Sequence, residues 1–337
     1  MIIAGSCNDP KTVLTNIVNE DGSILRKLEI RNAENNLKVS NTPIPYDSTW
    51  TIKDSIEVSQ TGDTTWVRRA QKLFKGADEI DKDYKKDSSF NRGISRRTEF
   101  KKKFRWFTTD YSYAEIIEGK LHHGYPVSDF LKADEIKWFY SPDNLTEEKK
   151  NGSDSLKYRA FDDSVKNKVE KWWMKCLVSE WIYEFAGLSS RMGTRAVPLD
   201  SLKEHEDDYF NLIESNTKDF DSLWTNGILV RKMIGEKNAV KYKSVADSAL
   251  HFITGQVFFD FRNYTLRTRM PGKLISTNGL VDSLGFVFWP VKSDYILTHS
   301  YEMKAESKIP NRWAWIVSGL FLLFVVTGMI FKKLWKG

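Results

Sequence analysis

The residues of this chain with chemistry to offer are its histidines, its two cysteines and one dense run of cations. His205-Glu206-Asp207-Asp208-Tyr209 starts like the zinc-hydrolase motif H-E-x-x-H, in which imidazoles at i and i+4 grip the metal from one helix face. Tyr209 stands where the second imidazole must be, so the run reads instead as a solvated, acidic helix start, favoured by the positive end of the helix dipole. His122 and His123 are adjacent, and neighbours on an extended strand point to opposite faces, so one metal does not take both. They are expected in a turn before Gly124-Tyr125-Pro126. His299 shares a face of an expected strand with Leu297 and Tyr301 and reads as a hydrogen-bonded core residue. Neither a phosphate-binding G-x-x-x-x-G-K-[ST] or G-x-G-x-x-G nor a hydrolase elbow G-x-S-x-G occurs. The sequence therefore assigns no catalytic residue, no metal ligand and no cofactor.

The cations lie between Arg92 and Arg105, with Arg96, Arg97, Lys101, Lys102 and Lys103, interleaved with Phe100, Phe104, Trp106 and Phe107. On a strand, period two puts Lys101, Lys103 and Arg105 on one face and Phe100, Phe104 and Trp106 on the other. Such a face can meet anionic headgroups or a partner, each basic group contributing about 1 kcal/mol at a membrane. Equally, it can be a solvated strand face whose charge discourages edge pairing. With 51 basic against 45 acidic residues the net charge is only +6, which favours the solvated face and excludes a nucleic-acid binder's surplus.

The strongest signal is an anchor. Trp313 to Phe331 contains no charge and is closed by Arg312 on one side and by Lys332 and Lys333 on the other. Nineteen residues at 1.5 Å rise give about 28 Å of helix, close to a bilayer's hydrocarbon thickness. Trp313, Trp315 and Trp335 sit where interfacial indoles belong, and Lys332, Lys333 and Lys336 can reach headgroups. Cations near the two ends tie, so the positive-inside rule does not orient the span. Ile2-Ile3-Ala4-Gly5-Ser6-Cys7 looks like the tail of a bacterial lipoprotein signal, with Cys7 as the acylated residue, although the basic start and most of the apolar stretch are lacking. On that reading residues 1–11 are a truncated signal and tether, the main domain is extracytoplasmic on a bacterial cell membrane, and a cytoplasmic tail follows a single pass. Cys176, inside an apolar helical stripe, is then a small core hydrophobe.

The elements that must position these residues follow from periodicity. Asp21-Gly22 centres a hairpin within 12–31, β-like sequence continues over 50–70, 77–95 reads as a mobile loop, and 100–117 as one long strand. Helices are expected at 127–140, 159–186, 206–216 and 239–253, the last burying Val240, Val245, Leu250 and Phe252. β character returns at 257–270, followed by a type II turn at Met270–Lys273, a type I′ turn at Asn278-Gly279, and strands at 286–289 and 295–305. The fold class is α+β: a mixed or antiparallel sheet from N- and C-terminal strands, an inserted helical subdomain, and one C-terminal transmembrane helix. The expected segments are 12–126 (β-rich), 127–253 (helical insertion), 254–309 (β-meander), 310–331 (transmembrane) and 332–337 (basic tail).

The run Met270-Pro271-Gly272-Lys273 to Asn278-Gly279, then Gly285-Phe286-Val287-Phe288-Trp289 and Ala305-Glu306-Ser307 before a membrane helix, resembles the extracytoplasmic domain of the mycobacterial LppM type over residues 255–331. Phe104-Arg105-Trp106-Phe107-Thr108 and the Asp-Gly-Ser hairpin resemble Bacteroidetes-type envelope lipoproteins. The resemblance implies an envelope location and lipid or glycolipid contact, and it transfers no catalytic residue. The function expected is a membrane-anchored envelope protein that binds a lipid, or another envelope protein, and not nucleic acid. The alternative is an envelope hydrolase whose site is assembled from dispersed carboxylates.

Overall fold

Alternating apolar and polar side chains build the first sheet. In a computed structural model that describes residues 11–35, 37, 42–86, 94–140, 155–191, 197–215, 227–257 and 261–335, β1 (Lys11–Val18) and β2 (Ile24–Asn32) pair antiparallel, with Val18 opposite Ile24. The connecting loop needs Gly22, at φ +92°, and Asp21 accepts the Ser23 amide. β3 (Thr51–Val58) and β4 (Thr64–Phe74) extend the sheet beyond β2. On the other side β1 takes β7 (Tyr264–Arg269) in parallel, followed by β10 (Val287–Val291) and β9 (Leu280–Val281). N- and C-terminal strands thus share a seven-stranded mixed sheet.

A second sheet, rather than one continuous sheet, takes the remaining strands in the order β5 (Arg96–Phe104), β6 (Thr108–Ile117), β11 (Tyr301–Pro310) and β8 (Lys273–Thr277). The division has a simple cause. Leu14, Leu28 and Leu266 leave one apolar face on the first sheet, and Tyr113, Met303 and Ala305 leave one on the second. Hydrogen bonds from Asn16 to Tyr113 and Glu115 join the two.

Several expectations are corrected. Residues 77–85 are not a loop but α1 (Ala77–Lys85), with Asp78 and Glu79 at its start and Lys82 and Lys85 at its end. It was hidden because its inward side is polar apart from Ile80: Asp83 pairs with Lys72 at 2.7 Å, and the Tyr84 hydroxyl accepts from Arg26. The single strand over 100–117 is a hairpin, folded at Trp106-Phe107 by reciprocal backbone bonds between Arg105 and Thr108. The β-run expected from 257 starts only at Tyr264. Residues Ser293–Ile296 form a 3-10 turn and β11 starts at Tyr301, because Tyr295, Ile296 and Leu297 are consecutively buried, which no strand allows on one face. His299 is accordingly an exposed loop residue bonded to Thr298 Oγ1, not a core residue. Gly272, at φ +72°, suits the type II turn, but no residue at Asn278-Gly279 has a positive φ, so that turn is not type I′. Gly279 is required for a different reason: a Cβ there would lie 2.5 Å from the Trp289 indole.

The chain divides into two units. The first holds both sheets, α1 and the C-terminal helix (Met1–Ile116, Asn263–Val291, Glu302–Gly337), and the second is helical (Ile117–Arg262, Lys292–Tyr301). In the second, the expected helix over 127–140 is a 3-10 turn, Val127–Asp129, followed by α2 (Ala133–Phe139). The central helix α3 (Ser155–Ser190) is longer than expected and buries Trp172, Cys176, Leu177, Trp181 and Phe185. Around it lie α4 (Leu199–Lys203), α5 (Glu206–Ser215), α6 (Ile228–Ile234), α7 (Glu236–Lys241) and α8 (Lys243–Val257). α7 and α8 bury Ala239, Ala246, Ala249 and Ile253 and not the expected Val240 and Phe252, which are exposed. Small side chains let helices approach closely, and that outweighs the side-chain size on which the expectation rested.

Candidate functional site: a membrane-proximal collar and a buried ion pair

Pro310 ends β11, and α9 (Arg312–Leu334) begins immediately after Asn311. Asn311 ties the helix start to the β5–β6 turn. Its side-chain amide donates to the carbonyls of Arg105 (2.7 Å) and Trp106 (3.2 Å), its backbone N–H donates to Phe107 O (2.9 Å), and its Oδ1 accepts from Thr109 (2.9 Å). Aromatic rings from both segments then pack together. Phe104 stacks on Trp313 at 6.3 Å, Trp106 meets the same indole edge-on at 5.2 Å, and Phe107 lies 4.4 Å from Trp315. The Trp106 indole N–H donates to Ser318 Oγ at 2.9 Å.

These five rings stay 39 to 59% exposed, and beyond them Leu320 to Phe324 are each more than 60% exposed. Beyond Ser318 α9 is largely uncovered by the described residues, so it is not a docked core helix, and it is long and apolar enough to cross a membrane. Lys332 and Trp335 are exposed at its far end; the Lys333 side chain, Lys336 and Cys7 lie outside the described residues.

Sequence parity placed Phe104 and Trp106 on the strand face shared with Phe100. The turn at Trp106-Phe107 releases them instead onto α9, and only Phe100 of the three packs partly inward, against Tyr111. Lys101 and Lys103 are exposed on β5, and Lys101 pairs with Glu99, whose carboxyl that bond holds below its usual range. Arg105 sits in the turn beside α9 and pairs with Asp110, which Lys308 also approaches at 3.7 Å. The hydrogen bond from Arg105 is the main reason the Asp110 carboxyl titrates below the ordinary carboxylate range.

A second constellation went unrecognised in the sequence. Arg26, Asn16 and Glu115 occupy inward positions of β2, β1 and β6, each flanked by buried apolar neighbours such as Leu28, Leu14 and Tyr113. A charged residue at inward parity was the available signal. Glu115 Oε1 accepts from Arg26 Nη2 (2.8 Å), Asn16 Nδ2 (2.6 Å) and the Tyr113 hydroxyl (2.5 Å). Arg26 also donates to Asn16 Oδ1 and to the Tyr84 hydroxyl, both at 3.0 Å. Burial is the largest single influence and opposes the Arg26 charge, but the Glu115 carboxylate together with Tyr84 and Tyr113 outweighs it and raises the guanidinium pKa above its ordinary value. Arg96 lies over the rings of Tyr84 and Tyr264.

The other buried carboxylates are equally engaged. Glu180 accepts the backbone amides of His122 (3.0 Å) and His123 (2.8 Å), which do lie in the turn expected of them. Glu206 is buried rather than solvated and accepts from the Tyr125 hydroxyl at 2.7 Å. Asp207 and Asp208 are exposed as expected, and Tyr209 fills the core where the zinc motif needs an imidazole. Glu135 accepts the Lys132 amide and pairs with Lys168. Among the described residues no group of three or more His, Cys, Asp or Glu is placed to hold a metal ion. Cys176 is a buried free thiol, pushed up to about 12 by burial.

No protein-family model, curated protein or solved structure is found to match this chain.

Proposed function

We propose that this is a single-pass membrane-anchored protein of the bacterial envelope whose extracytoplasmic part binds a lipid or another envelope protein. The observation that carries the reading is α9. From Arg312 to Lys332 it offers about 30 Å of apolar helix, largely exposed beyond the aromatic collar, with exposed indoles near both ends and cations at the boundaries. The lipobox-like Ala4-Gly5-Ser6-Cys7 and the LppM-like run over residues 255–331 support the envelope location and the sidedness, and the exposed cations Lys101, Lys103 and Arg105 support lipid headgroups as the binding partner. Engagement of the buried carboxylates in hydrogen bonds within the fold favours binding over hydrolysis by dispersed acids.

The test is alkaline carbonate extraction of cell membranes, followed by external protease on spheroplasts. The reading expects the protein to stay in the pellet and its main part to be digested from outside. Release into the supernatant refutes the span, and full protection from external protease reverses the topology.

A further inference from the structure

We infer that the β5–β6 turn is itself a membrane-inserted wedge, a second anchor that enters the same leaflet as the start of α9. The inference rests on α9 spanning a bilayer. It follows from depth along the helix. Trp106 bonds Ser318, and Ser318 lies six residues, about 9 Å, past Arg312. Were the turn to remain in water, the membrane could begin no earlier than Gly319. Only 319 to 331 would then be left to cross it, about 20 Å of helix against a hydrocarbon core of about 30 Å. Spanning from Trp313 restores the length, and it carries Trp106 and Phe107 below the headgroups because Asn311 and the ring contacts hold the turn against the helix.

The side chains fit that position. Phe104, Trp106 and Phe107 are exposed apolar and amphipathic rings continuous with Trp313 and Trp315, the composition of an interfacial belt. Arg105, the one charged residue in the turn, is partnered by Asp110, which lowers the cost of bringing it toward lipid. Lys103 and Lys101 follow up the strand, one and three residues above Phe104, where strand rise sets them about 3 and 10 Å higher, at headgroup level. The ligand is thus a phospholipid leaflet, the rings taking the interface and the lysines the phosphates.

The experiment places a spin label at single introduced cysteines in full-length protein carrying Cys7→Ser and Cys176→Ala, reconstituted in phosphatidylcholine–phosphatidylglycerol vesicles. The sites are Thr61 in an exposed loop, Lys103, Trp106, Phe107, and Leu323 inside α9. Phe107→Cys keeps the Trp106–Ser318 bond and so guards against a local rearrangement in Trp106→Cys. Depth is read as collision with oxygen relative to a water-soluble nickel chelate. The expected order is Thr61 shallowest, then Lys103, then Trp106 and Phe107 with a ratio severalfold above that at Thr61, and Leu323 deepest. A deep Leu323 with Trp106 and Phe107 as accessible to nickel as Thr61 overturns the wedge while leaving the span intact. Labels at 106 and 107 screened from both relaxants mean that protein covers the turn, and this overturns the wedge as well. A nickel-accessible Leu323 overturns the span and the wedge together.

Discussion

Replacing Glu115 with Gln removes one charge from the centre of the double-sheet unit and almost nothing else. The new amide oxygen can still accept from Asn16 and Tyr113, so the change isolates the ion pair. Arg26 is left as a buried cation whose guanidinium sits over the same Tyr84 ring as that of Arg96, with no counter-charge on Glu115 to balance the two. Breaking a buried pair from one side costs about 3–5 kcal/mol, and the retained hydrogen bonds put this variant near 3 kcal/mol, a large share of the roughly 5–15 kcal/mol available to a folded unit. The folding equilibrium should fall by roughly a hundredfold or more. Hydrogen exchange followed by mass spectrometry in detergent reads this directly. Amides of β1, β2 and β6 should lose protection while those of α3 keep theirs. Arg26→Met combined with Glu115→Leu should recover most of the loss, because removing both charges also removes the desolvation cost. A loss below about 1 kcal/mol for Glu115→Gln, or a double variant as unstable as the sum of the singles, refutes the reasoning.

Further outcomes follow from other parts of the molecule. Gly279→Ala sets a methyl 2.5 Å from the Trp289 indole and should cost about 1–3 kcal/mol, seen as a lower melting temperature; an unchanged melting point removes the clash argument. Leu322→Lys near the middle of α9 should cost about 3 kcal/mol of membrane insertion and move protein into the carbonate supernatant, whereas an unchanged pellet fraction argues against the span. Cys176 should resist iodoacetamide at neutral pH until the protein is denatured, since burial keeps its proton. Its ordinary value is 9.0 and its folded value about 12, so its contribution to stability is whole below pH 9 and is lost as pH rises toward 12. Denaturation midpoints measured at pH 8 and pH 10.5, with Cys176→Ala as reference, check the sign.

Much of the architecture was legible because it rests on local periodicity. The β1–β2 hairpin follows from alternation around Asp21-Gly22, and α3 from apolar residues at helical spacing. Elements whose burial depends on polar partners were not legible. α1 looks like a loop because its inward side meets Lys72 across 11 residues and Arg26 across 58. The face of α7 and α8 was misjudged because close packing chose alanines over Val240 and Phe252.

What the chain's order alone determined is the uncharged segment from Trp313 to Phe331, since hydrophobic length is a sum over neighbours and needs no fold. Only tertiary structure decided what lies beside it. The turn at Trp106-Phe107 reaches α9 across some two hundred residues, and Glu115 finds Arg26 across 89, because two sheets must cover each other's apolar faces. Pairings at such separation are fixed by packing and hydrogen-bond geometry, which no local pattern of side chains encodes.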